Sequence, residues 1–566
     1  MEMRWVYAEE QDVEKVNALS QSLNIKPELA QILVQRGVTT FEQAKDFFRP
    51  SLDHLHDPFL MKDMEKAVNR LTDAVSEGEK ILIYGDYDVD GTTSVALVYS
   101  FLKALGAEVD FYIPDRYKEG YGISNIGVNW AADNGYKLMI ALDCGITAID
   151  QVNLANALNV DMIICDHHNP GAKLPEALAV LDPKRVDCNY PFKELSGCGV
   201  GFKLLHGFCL QQTIDLAALY KYLDLLAVSI SSDIVRMTDE NRILTFYGLR
   251  KLNQSPSEGL KSLIEISGLK PPISISDVVF YIGPRINAAG RIAHASDSVR
   301  LLIAQDEEET LGFAGQLNSR NTERRTFDQN ITKEAIAMIE SDEFLQSSKS
   351  TVLFKSDWHK GVVGIVASRC IEYYYRPTII LTESNGKATG SARSVEGFDI
   401  YTAISSCREW LDQFGGHTHA AGLTMPVENI DGFRRAFEEE VKSKLKEEHL
   451  TPSLNIDLDV DFDFINFKTL SIIDQMAPFG PGSLQPAFAS ANVMARNIKV
   501  IKEKHLKMVV YQEEFEIELE VIGFGFGHLA EQLKRGKPFR LAYHIEENNF
   551  RGNKTLQLNI KDIKID

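Results

Sequence analysis

The chain has 566 residues, too many for one hydrophobic core and suited to about three to five domains. Its 44% hydrophobic content fits a globular protein. The start, MEMRWVYAEE, has no basic region leading into an apolar run, and no apolar stretch approaches the ~20 residues needed to cross a bilayer, so a soluble, unprocessed protein is expected. Seven irregularly spaced cysteines without a C-x-x-C pair argue against a disulfide framework or structural zinc and for a reducing cytoplasm; the net charge of -20 opposes phosphate binding unless bound cations or local basic clusters offset it.

Residues 1–65 read as a helical lead, with helix-like apolar spacing in KPELAQILVQRGV and TFEQAKDFF. Short apolar runs then alternate with helical segments: KILIY (80–84), EVDFYI (108–113), KLMIAL (137–142), VDMIIC (160–165) and LAVL (178–181). That alternation predicts a mainly parallel sheet covered on both faces. A mostly helical stretch follows to about residue 340, then a second α/β pattern with STVLFKS, the small-residue helix GVVGIVASRCIEYY, PTIILT and two glycine-bearing loops. After KEEHLTPSLN at least five short strands suit a small barrel, with the oligonucleotide-binding fold the first candidate.

Ligands of open parallel sheets bind beyond the carboxyl ends of the strands. Here the first four ends read GDYDVDG, PDRYKEGYG, LDCG and CDHH, which brings Asp86, Asp88, Asp90, Arg116, Asp143, Asp166, His167 and His168 to one rim. Any one aspartate after a strand is commonly a turn or a helix cap, and Asp90-Gly91-Thr92 alone could be only that. Together they form a carboxylate and imidazole set without thiolates, the composition for Mg²⁺ or Mn²⁺. Two such ions would relieve the repulsion among the aspartates and serve an in-line phosphoryl displacement. Asp233, in LAVSISSDIVRM, is either a local cap or a further ligand. DVDGTT also fits a haloacid-dehalogenase-type phosphatase, with Asp88 as nucleophile and Asp90 as acid/base, but that reading gives Asp143, Asp-His-His and the second half no role.

DYDVDG, LDCG, DHH (166–168) and the SSD ending at Asp233 resemble the four signature motifs of the DHH phosphoesterase superfamily. GPRINAAGR (283–291), HKGVVGIVASR (359–369), GSARSVEGFDI (390–400), GGHTHAAG (415–422) and APFGPGSLQPAF (477–488) resemble its RecJ branch, the single-strand-specific 5′→3′ DNA exonucleases. The resemblance implies an α/β multidomain chain: the lead (1–65), a parallel-sheet DHH catalytic domain (66–250), a helical connector (251–345), a second α/β domain of DHHA1 type (346–448) and an oligonucleotide-binding β-barrel (449–566). It implies hydrolysis of single-stranded DNA to mononucleotides with two Mn²⁺ or Mg²⁺ ions, in DNA repair and recombination. A cytoplasmic monomer working with a single-strand-binding protein and a RecQ-type helicase is implied too.

Carried across by motif, Asp86, Asp88, Asp90, Asp143, His167 and Asp233 are the implied metal ligands, and His168 the contact to the scissile phosphate. Relatives often carry a histidine where Tyr84 stands, which leaves open which of the first three aspartates replaces it. Arg285, Asn287 and Arg291 would bind phosphate among small residues that let a backbone approach closely. Ser391, Arg393, His417 and His419 lie in glycine-rich loops suited to phosphate nests. Arg116, Ser391 and Arg393 are expected to hold the 5′-terminal phosphate, with His359 and Arg369 nearer the scissile bond. Tyr117 and Tyr121 could stack bases, and Lys499, Lys502, Lys504 and Lys507 could track the strand. A small-substrate DHH enzyme and a scaffold without catalysis are the alternatives; no implied ligand position is missing.

Overall fold

The computed structural model describes residues 3–550 and 552–565. The chain forms two compact units: Lys45–Arg324 with Ala477–Leu484 in one; residues up to Ala44, Arg325–Met476 and the chain from Gln485 in the other.

The first unit is built on five parallel strands, Ile81–Gly85, Val109–Tyr112, Leu138–Leu142, Asp161–Cys165 and Ala179–Leu181. Numbered along the chain, they lie side by side in the order 2-1-3-4-5. Alternate side chains feed two cores. Ile81, Ile83, Ile140, Leu142 and Ile163 pack against helices Val89–Ala104 and Gly197–Gln212, while Tyr84, Met139, Ala141, Met162 and Ile164 face Val128 and Val152. Burial on both faces is why these strands read as continuous apolar runs. The order places the topological switch between the first and third strands, where consecutive crossovers leave in opposite directions and open a crevice. Asp86 and Asp143 follow those two strands directly.

Ala477–Leu484 packs with this unit. The Met237 amide donates to the Pro481 carbonyl at 2.6 Å, and the Arg242 guanidinium donates to the Ala477 and Pro478 carbonyls, each at 3.1 Å.

In the second unit a five-stranded sheet pairs Thr351–Phe354 with Thr378–Ser384 in parallel and continues antiparallel through Lys387–Arg393, Ala420–Met425 and Gln413–His417. GSARS and GGHTHAAG are therefore mostly strand, not the expected loops. A Cβ on Gly390 would sit 2.1 Å from the Ile380 carbonyl oxygen, so glycine serves close strand packing at that position. The C-terminal barrel closes through Phe488–Ile501, His505–Tyr511, Glu518–Gly523, Asn553–Ile565 and Phe539–Phe550, with Phe488 paired to Tyr543. The N-terminal lead is helical as expected from Val13 to Phe48, but it opens on a strand, Arg4–Tyr7, paired in parallel with Ser453–Ile456.

Candidate metal centre and active site

Ionised carboxylates crowded in a buried crevice need either protons or cations. His167 Nε2 lies 3.2 Å from an Asp143 oxygen, 3.6 Å from Asp233 and 3.7 Å from Asp90. Such spacings approach the ~3 Å between neighbouring donors around one divalent ion with ~2.1 Å bonds. The donor atoms of Asp90, His167 and Asp233 lie within 4.8 Å of one another, as do those of Asp86, Asp88 and Asp143. Asp143, a member of the second set, meets the first at His167, and the donor atoms of Asp143, His167 and His168 form a third group of the same size.

Several of these atoms are buried with no hydrogen-bond partner among the described residues: both oxygens of Asp86, Oδ1 of Asp143, Oδ2 of Asp233 and both ring nitrogens of His167. Orphaned donors that converge fit a divalent-cation site, since a buried polar group otherwise costs about 1–3 kcal/mol. Burial, and then the neighbouring carboxylates, push Asp86, Asp88 and Asp143 up, and Asp233 up to about 9. Burial also lowers His167, which favours the neutral imidazole that a metal requires.

Each ligand has a local cause for its position. Asp88 caps helix Val89–Ala104, its Oδ1 accepting from the Gly91 amide at 3.0 Å. The cap is thus Asp88 rather than Asp90, which sits inside the first turn and reaches across to another helix. Asp90 accepts from the amides of Gly197 at 2.6 Å and Cys198 at 2.9 Å. Asp143 holds a left-handed backbone, φ 59°, uncommon for a residue with a side chain and typical of functional sites. A Cβ on Gly197 would lie 2.5 Å from Asp143 Cβ, so only glycine allows this approach. Asp233 follows helix Leu223–Ser232, and its open oxygen makes it a candidate ligand as well as the last residue of the turn.

Tyr84 occupies no place in this cluster. It is fully buried, donates to the Gly122 carbonyl at 2.9 Å and stacks on Tyr112. Of the three aspartates in DYDVDG, Asp86 is the one with both oxygens buried and without a strict hydrogen bond, and one of them joins Asp88 and Asp143.

Asp166 serves the histidines instead of a cation. Its Oδ1 accepts from the His167 amide at 2.7 Å and from His168 Nδ1 at 2.7 Å, and its Oδ2 accepts from the Ile146 amide. Burial would raise Asp166, but His168 holds it down at about 2; burial would lower His168, but Asp166 lifts it to about 9. A cationic His168 has Nδ1 anchored on Asp166 and its Nε2 at 3.1 Å from the Tyr121 hydroxyl. The Arg116 guanidinium lies 4.8 Å over the Tyr87 ring, and the Tyr117 hydroxyl donates to the Arg291 carbonyl.

GPRINAAGR forms helix Gly283–Ile292. Its small residues admit the protein's own backbone: a Cβ on Gly290 would lie 2.8 Å from the Tyr87 carbonyl oxygen. Arg285 donates to Asn318 and the Tyr281 carbonyl, while Asn287 and Arg291 are half-buried.

Sequence reasoning missed Lys184. It stands beyond the fifth strand end, in LDPK, half-buried, and its charge acts on His167 and Asp233. The strand was legible in the sequence; inspecting its end like the other four would have found the lysine.

In the second unit Arg393 donates to Ser391 Oγ at 2.7 Å. A Cβ on Gly364, in the first turn of helix Val363–Tyr373, would fall 2.9 Å from that guanidinium and 3.0 Å from Ser391 Oγ. A cation, a hydroxyl and a helix N-terminus thus lie side by side, the kinds of group that bind anions. His359 stacks on Phe327, Arg369 pairs with Asp328 and Glu372, and His417 ends its strand exposed. Lys499 and Lys507 are cross-strand neighbours in the barrel, with Lys502 and Lys504 at the exposed turn between their strands.

A switch-point crevice lined by Asp-x-Asp-x-Asp and Asp-His-His, with donors in overlapping cation-sized groups, defines a metal-dependent phosphoesterase of the DHH class. The sequence matches the DHH family N-terminal domain over residues 80–230, the DHHA1 domain over 347–443 and the RecJ OB domain over 456–562. It is 38% identical over 568 aligned residues to the single-stranded-DNA-specific exonuclease RecJ of Bacillus subtilis, covering 100% of this chain and 71% of that protein. The RecJ of Haemophilus influenzae is 32% identical, with 90% of this chain and 92% of that one covered. The crystal structure of Thermus thermophilus RecJ in complex with Mn²⁺ superposes with a TM-score of 0.86 at 26% identity, covering 100% of this chain and 80% of that one. The chain belongs to the RecJ family.

Proposed function

We propose that this protein degrades single-stranded DNA from its 5′ end to 5′-mononucleotides. Asp90, Asp143, His167 and Asp233 would hold one Mn²⁺ or Mg²⁺, and Asp86, Asp88 and Asp143 a second, with Asp86 in place of the histidine of other DHH enzymes. The bound pair supplies an activated water and charge for in-line displacement at phosphorus. The observation that carries this reading is the set of buried, unpartnered donors around His167 Nε2.

The remaining residues act on the strand. His168, oriented by Asp166, donates from Nε2 to an oxygen of the scissile phosphate. The Arg393–Ser391 pair takes the terminal 5′-phosphate, which sets polarity and the one-nucleotide step, and Arg116 binds phosphate on the catalytic unit. His359 and Arg369 act nearer the scissile bond, Arg285, Asn287, Arg291 and His417 contact other phosphates, and the barrel lysines follow the backbone. Among the described residues no helix is long and apolar enough to cross a membrane. On this reading the chain works as a cytoplasmic monomer in DNA repair and recombination, beside a single-strand-binding protein and a RecQ-type helicase.

The test is degradation of 5′- and 3′-labelled single strands with Mn²⁺. Early release of the 5′ label and loss of all cleavage in Asp143→Ala are expected; release from the 3′ end, or an unchanged Asp143→Ala, refutes the reading. Arg393→Ala should abolish the preference for 5′-phosphorylated over 5′-hydroxyl ends.

A further inference from the structure

Asp90 is held by three donors, and the third has a logic of its own. Besides the Gly197 and Cys198 amides, Ser229 Oγ lies 2.6 Å from Asp90 Oδ1. Ser229 Oγ is also 2.8 Å from Ser196 Oγ, and Ser196 Oγ accepts the Gly199 amide at 3.1 Å as the cap of helix Gly197–Gln212. Both serines are completely buried, so no solvent shares these bonds.

The proton positions follow by elimination. A carboxylate only accepts, so the single hydroxyl proton of Ser229 lies on its bond to Asp90. Ser229 Oγ must then accept from Ser196, whose own proton is thereby used. The order is fixed as Gly199 N–H to Ser196 to Ser229 to Asp90, and such chains strengthen each member in turn. In the other donor set, among the described residues, no side chain supports Asp86 or Asp88 by a hydrogen bond: Asp88 has its local cap, and only the Tyr87 and Gly122 backbone lies towards Asp86.

We infer that Ser196 and Ser229 form a one-way hydroxyl relay that positions Asp90 for one of the two cations only, the one shared with Asp143, His167 and Asp233. This rests on the two-cation reading above. Neither serine touches substrate or ion; both are positioning residues, and metal ligands supported in this way typically lose about 10- to 100-fold in metal affinity when the support is removed.

The experiment is Mn²⁺ titration of the full-length protein, followed by electron paramagnetic resonance, for wild type, Ser229→Ala, Ser196→Ala and the double variant. Ser229→Ala should weaken one of two Mn²⁺ classes by about 10- to 100-fold and leave the other within about twofold. Ser196→Ala should weaken the same class less, and the double variant should fall well short of the product of the two single effects, because the hydroxyl part of what Ser196 does reaches Asp90 through Ser229, while its cap on the helix whose Gly197 and Cys198 amides also hold Asp90 acts separately. Both classes unchanged, both weakened alike, or additive effects would overturn the relay. If Ser229→Ala does not fold, Ser196→Ala decides by the same selectivity. A wild-type protein that binds fewer than two Mn²⁺ ions overturns the two-cation reading itself and the relay's selectivity with it.

Discussion

Replacing Gly197 by alanine tests whether the crevice is as tight as its geometry states. In an ordinary helix the exchange stabilises by up to ~1 kcal/mol. Here the new Cβ would lie 2.5 Å from Asp143 Cβ, 2.7 Å from its Oδ1 and 2.8 Å from its Cα. Asp143 would have to retreat by about half an ångström to reach the 3.0 Å that real side chains respect, and its left-handed backbone resists adjustment. Overpacking of this kind costs about 1–3 kcal/mol, so the sign of the usual effect reverses. Because Asp143 serves both donor sets, and a misplacement of about 1 Å costs ~100-fold, a displacement of about half that should lower turnover by ~10-fold. Urea unfolding gives the first quantity and Mn²⁺-dependent release of labelled mononucleotide the second. Gly199→Ala, on the same turn with its nearest neighbour at 3.3 Å, is the control and should keep near-normal activity. A Gly197→Ala protein as stable and as active as wild type would refute the argument.

Lys203 and Glu240 form an ion pair at 2.7 Å with both side chains fully buried, and Glu240 also accepts from the His56 amide and the Tyr190 hydroxyl. Lys203→Met should cost ~3–5 kcal/mol by stranding Glu240, and Lys203→Met with Glu240→Gln should recover part of it, measured by urea unfolding. The raised folded-state values of Asp233 and Asp143 mean that the metal-free fold binds more protons than the unfolded chain above pH 4. Its stability should fall as pH rises from about 4 through about 9, whereas Mn²⁺ replaces those protons; the gap in Tm between Mn²⁺-loaded and EDTA-treated protein should widen with pH, and a constant gap would count against the cluster. His168→Gln should keep both Mn²⁺ ions but lose about 10²–10⁴ in turnover; loss of a Mn²⁺ ion instead would make His168 a ligand.

The catalytic sheet was legible because its strands are buried on both faces and appear as bare apolar runs, and because ligands of such sheets gather at strand ends. Asp86, Asp143 and His167 needed no more than that. Which aspartate of DYDVDG caps the helix was not legible, since Asp88 and Asp90 are both good caps and only the start of the helix at Val89 decides between them. Gly390, Gly415 and Gly416 have little strand propensity, so a sheet that uses Gly390 and Gly416 for close approach looks like loop in one dimension. Arg4–Tyr7 pairs with Ser453–Ile456, and Ser196 meets Ser229, through contacts that no local pattern announces.

The Ala477–Leu484 segment makes the linear order of domains a poor guide to what may be cut away. Its Pro481 carbonyl receives the Met237 amide, four residues beyond Asp233, and its Ala477 and Pro478 carbonyls receive Arg242. A chain ended before Ala477 to remove the barrel would also delete a brace of the catalytic unit near a proposed ligand. Loss of cleavage in such a truncation would therefore say nothing about whether the barrel binds DNA; substitutions at Lys499, Lys502, Lys504 and Lys507 in the intact chain are the separable way to ask.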